Sequence, residues 1–124
     1  MEDADSWGSL IPLANTQALP TYTLAKEETQ IGRNPDCGIC INDKRLSGKH
    51  CLIKKEKDKI TITDLSTNGT FLGSKKIGKN NSVELKHQEE IWLLTASKVP
   101  VNETIGFRYE NFAAIEEEKK KKED

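Results

Sequence analysis

Apolar residues in this chain come in runs too short and too irregular for helices. They recur between strong turn signals at Asn34-Pro35-Asp36, Asn68-Gly69, Gly73-Ser74 and Lys79-Asn80-Asn81, where Gly, Asn, Asp and Pro supply turn geometry. An amphipathic helix needs apolar spacings of three and four sustained over ten residues or more. The chain offers instead segments of three to seven residues, and in Ile60-Thr61-Ile62-Thr63 a strict alternation. Alternation puts apolar side chains on one face and polar ones on the other, as in a half-buried antiparallel strand. Strands are predicted at 7–13, 22–25, 29–33, 39–42, 51–55, 60–64, 70–72, 83–85, 91–95 and 105–109. Short strands at this spacing define an all-β chain, a two-sheet antiparallel β-sandwich of about ten or eleven strands.

A chain of 124 residues, 35% hydrophobic, supports a single domain with one modest core. Its boundaries fall at an acidic segment, 1–6, a folded domain, 7–110, and a charged tail, 111–124. The tail reads as a solvated helix or unstructured linker, since Glu116 and Lys120 stand four apart as a helical ion pair would. Its lysine run Lys119 to Lys122 offers the sharper alternative of a nuclear-localisation signal. The chain holds 19 basic and 20 acidic residues, of which the two ends take four and eight, leaving 15 against 12 in the domain. So small an excess argues against direct nucleic-acid binding but suits a local anion site. No apolar run is long enough for a helical membrane span, and the acidic start lacks a secretory layout. The chain is expected to be intracellular, and its Asn-x-Ser/Thr sequons at Asn68, Asn80 and Asn102 are read as chance.

Three cysteines, Cys37, Cys40 and Cys51, are an odd number for a disulfide framework. Cys37-x-x-Cys40 is also half of a zinc pattern, with Cys51, His50 or His87 as further candidates. If 38–41 is a strand, however, side chains three apart face opposite ways and the thiols do not converge. The cysteines are read as small apolar fillers, and neither metal nor cofactor is expected.

The chemistry concentrates in three clusters: Ile31-Gly32-Arg33, Arg45-Leu46-Ser47-Gly48-Lys49-His50, and Asp64-Leu65-Ser66-Thr67-Asn68-Gly69-Thr70. Each falls where a strand meets a loop, and loops at one end of a rigid sandwich commonly display binding residues. A guanidinium forks onto phosphate oxygens, hydroxyls add short hydrogen bonds, and an Asn amide can pin an extended backbone. Together they read as a phosphate clamp.

In order and spacing, Gly-Arg, Ser-x-x-His and Ser-x-Asn-Gly-Thr resemble the signature of forkhead-associated (FHA) domains, over roughly Trp7 to Tyr109. The resemblance implies a non-catalytic module that binds a phosphothreonine-containing protein or peptide. It implies that Arg33 and Ser47 contact phosphate, Thr67 lines the phosphothreonine pocket and Asn68 bonds the peptide main chain. Gly32 and Gly69 are structural on this basis, and His50 braces the loops from beneath. Arg45 stands where some relatives favour an acid three residues after the phosphothreonine. Gly48 departs from relatives that carry Asn, Lys or Arg there, with Lys49 or Lys44 as candidates to compensate. The Asn-Pro turn after Gly-Arg and the start Trp7-Gly8-x-Leu10 are most similar to the FHA domains of checkpoint effector kinases. That likeness implies recruitment of a DNA-damage or checkpoint kinase to phosphorylated partners, in the nucleus and also the cytoplasm. No kinase motif is present, so the chain would be a fragment of such a kinase.

Two rival readings are weaker. Ser47, His50 and Asp64 could be assembled as a hydrolase triad, but Ser47 lacks a nucleophile-elbow frame. A phosphate-independent β-sandwich interaction domain is the alternative that Gly48 keeps open. Thr16-Gln17 and Thr29-Gln30 are Thr-Gln dipeptides. Phosphorylated Thr16 would allow self-association, whereas Thr29 is expected inside a strand.

Overall fold

The structure, a computed structural model, describes residues 6–13, 19–57 and 59–123; Thr16 lies outside the described residues. The strands, in chain order, are β1 (Gly8–Pro12), β2 (Tyr22–Leu24), β3 (Glu28–Gly32), β4 (Ile39–Cys40), β5 (Cys51–Glu56) and β6 (Lys59–Asp64). They continue with β7 (Phe71–Leu72), β8 (Lys75–Lys76), β9 (Ser82–Glu84), β10 (Glu90–Leu94) and β11 (Ile105–Asn111). A 3-10 turn covers Val101–Glu103, and helix α1 (Phe112–Glu123) follows β11. One sheet has the order β2-β1-β11-β10-β7-β8 and the other β4-β3-β5-β6-β9. All pairings between strands are antiparallel except β3 with β4.

Alternation decides which side chains enter the space between the sheets. In β6, Ile60, Ile62 and Asp64 are buried while Lys59, Thr61 and Thr63 face outward. In β5 the inward residues are Cys51 and Ile53. Opposite them stand Leu10, Ile91, Ile105, Phe107 and Tyr109, all fully buried. A register shift in β10 between Trp92 and Leu94 turns both Leu93 and Leu94 into the core, leaving Trp92 on the outer face.

The same registers gather the three sequence clusters. Ile31 pairs with Cys51, and Cys51 with Asp64, so the three lie in one cross-strand row. The chain beyond that row therefore leaves from one end: Gly32-Arg33 after β3, His50 and the loop before β5, and Leu65 onward after β6. These loops are bonded to one another. Arg33 N–H donates to the Ser47 carbonyl at 3.0 Å, Asn34 N–H to Gly48 at 3.0 Å, and His50 N–H to Ile31 at 2.8 Å.

Three details depart most from the strands read in the sequence, whereas the tail takes the helical one of its two readings. β8 was absent from them, because two exposed lysines after a Gly-Ser turn carry no alternation. β4 is only two residues long, and Thr70 stands outside β7 because its side chain enters a buried polar network. The tail is helical from Phe112, with the Asn111 side chain accepting the Ala114 N–H at 3.1 Å as an N-cap. Cys37 is buried and Cys40 exposed, the opposed orientation expected of the pair.

Gly32 makes the close approach of β3 to the loop before β5 possible. A Cβ there would sit 2.2 Å from the Gly48 carbonyl oxygen and 2.9 Å from the His50 nitrogen, both backbone atoms. Gly32→Ala is accordingly expected to lower stability by about 1–3 kcal/mol, read as a fall in the urea midpoint. An unchanged midpoint would mean that the loops can separate without cost.

Candidate functional site

The floor of the loop end is a polar network sealed from solvent. His50, Asp64 and Thr70 are 0% exposed, and Ser66 nearly so. Ser47 N–H donates to His50 Nδ1 at 3.3 Å, which makes Nδ1 an acceptor and places the proton on Nε2. That proton is donated to the Gly69 carbonyl at 3.0 Å. The Ser47 contact requires an unprotonated Nδ1, so the two contacts together select one neutral tautomer. Burial pushes the His50 pKa below its ordinary 6.5, against the weaker pull of the Gly69 carbonyl and of Asp64.

Asp64 is the counterpart on β6. Its Oδ1 accepts from Ser66 N–H at 2.9 Å, Ser66 Oγ–H at 2.6 Å and Thr70 Oγ1–H at 2.9 Å, and its Oδ2 from Thr70 N–H at 3.3 Å. Ser66 Oγ accepts in turn from Gly69 N–H at 2.7 Å. Burial raises the carboxyl's pKa, but the Ser66 and Thr70 hydrogen bonds together outweigh it and hold the group below 3.8. The turn that follows is closed by Gly69 at φ +112°, a conformation that favours glycine.

Above this floor stand the outward groups. Arg33 is exposed, and its Nε–H donates to the Leu46 carbonyl at 3.2 Å; among the described residues no partner takes its Nη groups. Ser47 Oγ accepts the Thr67 N–H at 3.0 Å, which leaves the hydroxyl proton to donate outward. Asn68 is exposed, with Nδ2 donating to the Arg45 carbonyl at 3.4 Å and its main-chain carbonyl accepting from Lys98 Nζ at 2.8 Å. The structure therefore brings Arg33, Ser47, Thr67 and Asn68 to one surface, with Lys49 exposed beside them. A Cβ on Gly48 would meet nothing within 4 Å, so that position is open to a side chain.

Arg45 is differently placed from the sequence expectation. Its guanidinium bonds Asp43 at 2.9 Å and Glu103 at 2.6 Å, and these hydrogen bonds, Asp43 before Glu103, raise its pKa. One cation between two carboxylates is a strut from the loop before β5 to the 3-10 turn before β11. Sequence reasoning gave no role to Asp43, Glu103 or Lys98. Asp64, Ser66 and Thr70 left a signal only as members of the third quoted cluster. The hydrolase arrangement does not form: Nδ1 of His50 takes the Ser47 main-chain N–H, and the Asp64 oxygens are committed to Ser66 and Thr70.

A β-sandwich with buried braces under one exposed loop surface, rich in outward donors, is a ligand-reading module. Its family follows directly: the FHA domain model matches residues 29–93, and the chain belongs to the FHA family. Human E3 ubiquitin-protein ligase CHFR is 28% identical over 110 residues, covering 86% of this chain and 16% of the relative. A probable serine/threonine-protein kinase of Dictyostelium discoideum, fhkC, is 30% identical over 123 residues, covering 94% of this chain and 20% of that one. The chain thus spans between about a sixth and a fifth of these curated relatives. Among solved structures, the N-terminal FHA domain of Rad53p from S. cerevisiae, in complex with a phosphothreonine peptide, superposes with a TM-score of 0.74 at 25% identity. The match covers 85% of this chain and 93% of that one.

The protonation states of the floor set a pH dependence. Below about pH 6.5 the unfolded chain takes up a proton on His50 while the folded chain resists it, so stability is full above that pH and falls as the pH drops. Asp64, held below 3.8, adds a second loss below that value by the same sign. His50→Gln should lower the melting temperature at pH 7.5, by an amount equivalent to about 1–3 kcal/mol, and flatten its decline between pH 7 and 5. A decline equally steep in the variant would assign the first loss to another group.

Proposed function

We propose that this chain is a phosphothreonine-dependent protein-protein interaction module, with Arg33, Ser47 and Asn68 as its principal contacts. The observation that carries the reading is the convergence of an uncommitted guanidinium edge, a hydroxyl donor and an exposed amide on one rigid loop surface. A phosphate of about −1.5 to −2 charges matches the cation and the hydroxyl, and Asn68 suits the main chain of an extended peptide. The Rad53p relative, solved with a phosphothreonine peptide, supports the assignment. Thr67 lines the pocket for the threonine methyl, Lys49 supplies peripheral charge, and Gly32, Gly69 and His50 hold the loops in place.

The chain on this reading catalyses nothing itself; it recruits a checkpoint or DNA-damage-signalling enzyme, a Ser/Thr kinase in our reading, to phosphorylated partners. The fhkC relative, described as a probable kinase, and the CHFR relative, a ubiquitin ligase, support a recruiting role beside a larger enzyme. A nuclear location, shared with the cytoplasm, follows from that role and from the Lys119 to Lys122 run.

Arg33→Ala should weaken phosphopeptide binding by about 2–4 kcal/mol with an unchanged melting temperature; calorimetry with matched phosphorylated and unphosphorylated peptides measures it. In the same titrations phosphothreonine should exceed phosphoserine by at least tenfold, since one well-packed methyl is worth about 1–3 kcal/mol. Asp in place of Ala three positions later should change affinity by less than about twofold, because the Arg45 charge is shared by Asp43 and Glu103. Equal binding of the unphosphorylated peptide would move the chain to the phosphate-independent class.

Gly48→Asn gives a test in the direction of gain. The open space at that position admits the side chain, and an added amide donor on phosphate should tighten binding about three- to tenfold. A loss of affinity there would place the phosphate elsewhere.

A further inference from the structure

The outer face of the first sheet carries an aromatic surface that continues from the loop end. Trp92 alternates with buried Ile91 and Leu93 and so points away from the core. Its cross-strand neighbours are Phe71 on β7 and Gly106 on β11. A Cβ on Gly106 would lie 2.5 Å from Cε3 of Trp92 and 2.6 Å from Cζ3, so the indole rests directly on bare backbone. Its Nε1–H donates to Glu90 at 3.3 Å, which further limits rotation. Phe71 and Trp92 are both only partly buried. A cleft of about 310 Å³ opens over them, lined also by Gly73, Ser74 and Thr95 to Ser97.

This cleft adjoins the loop surface. Phe71 and Thr95 also line a second cavity of about 250 Å³ that includes Asn68, Arg45 and Lys98. The two cavities thus adjoin at Phe71 and Thr95, and a peptide held at Asn68 would reach Trp92 by passing over Phe71. Asn68 and Phe71 are three residues apart, at most about 10 Å, and Trp92 is one strand further, about 5 Å. At about 3.3 Å per extended residue, some three to five residues bridge the two sites. The chemistry on offer is an indole face and a phenyl ring in a shallow apolar cleft, which favours an aliphatic or aromatic side chain.

We propose that Phe71 and Trp92 form a second contact for the same phosphorylated partner, seating an apolar side chain about three to five residues from the phosphothreonine. The proposal rests on the phosphothreonine reading above, and it makes recognition bipartite: charge at the loops, apolar burial on the sheet face.

The test is a phosphothreonine host peptide of Ala and Ser, with one Leu or Phe moved from the second to the seventh position on either side. One or two positions at the stated reach should bind about three- to tenfold tighter than the host. Trp92→Ser should erase that gain and leave host affinity unchanged. No gain at any position, a gain that survives Trp92→Ser, or equal weakening of host and Leu peptides would each overturn the second contact. A host peptide that binds equally without its phosphate would instead overturn the underlying reading. Trp92 fluorescence in a Trp7→Phe background gives a readout that does not need Trp92→Ser to fold. A blue shift with the Leu peptide and none with the host supports the contact; identical spectra overturn it, as does a shift caused by dilution alone, which would report a second copy on this face.

Discussion

The buried carboxylate of Asp64 is the point from which the loop end is organised. An ionised carboxylate removed from water costs several kcal/mol unless its lone pairs are filled. Four donors fill them here, and all four come from Ser66 and Thr70. The charge can therefore stay buried only while the chain between β6 and β7 keeps one conformation. That conformation presents the Gly69 carbonyl to His50 and the Thr67 N–H to Ser47. A carboxylate on one strand thus orders a loop, and the loop orders its neighbour.

His50 transmits this order to the second loop and can do so only when neutral. One ring nitrogen accepts from Ser47 and the other donates to Gly69, so a single tautomer spans the two recognition loops. The division of labour is spatial. Beneath the surface every donor and acceptor of His50 and Asp64 is spoken for, whereas Arg33, Ser47 and Asn68 keep donors directed outward. Braced groups that need no reorganisation bind a charged ligand at lower entropic cost.

The strands and the three clusters were legible because they obey local rules: alternation in Ile60 to Thr63, punctuation at Asn34-Pro35 and Asn68-Gly69, and donor chemistry at strand ends. β8 was not legible, since Lys75 and Lys76 form a strand only because Phe71 and Leu72 offer an edge. The strut at Arg45 was invisible for a different reason. Glu103 lies 58 residues away in sequence, and only the common end of the two sheets brings it within reach. The helical tail had a local signal in its charge spacing, and its start is marked by the Asn111 cap.

The Arg45 strut changes what the rim of the site can select. A free arginine would favour acidic peptides, but Asp43 and Glu103 leave the trio with a formal charge of −1. Lys98 is likewise turned to the Asn68 carbonyl. Charge at Arg45 and Lys98 therefore contributes little discrimination beyond the phosphate itself, and exposed ion pairs of this kind are weak and screened by salt. On this side of the site, what remains to distinguish one phosphorylated segment from another is shape and apolar burial. The adjoining surface supplies both, with Phe71, Leu93, Leu94 and Val99 lining the cavity beside Asn68 and the Trp92 indole resting on Gly106 beyond it. Selectivity built this way persists at salt concentrations that mute the rim charges, since removal of apolar surface from water does not depend on Debye screening.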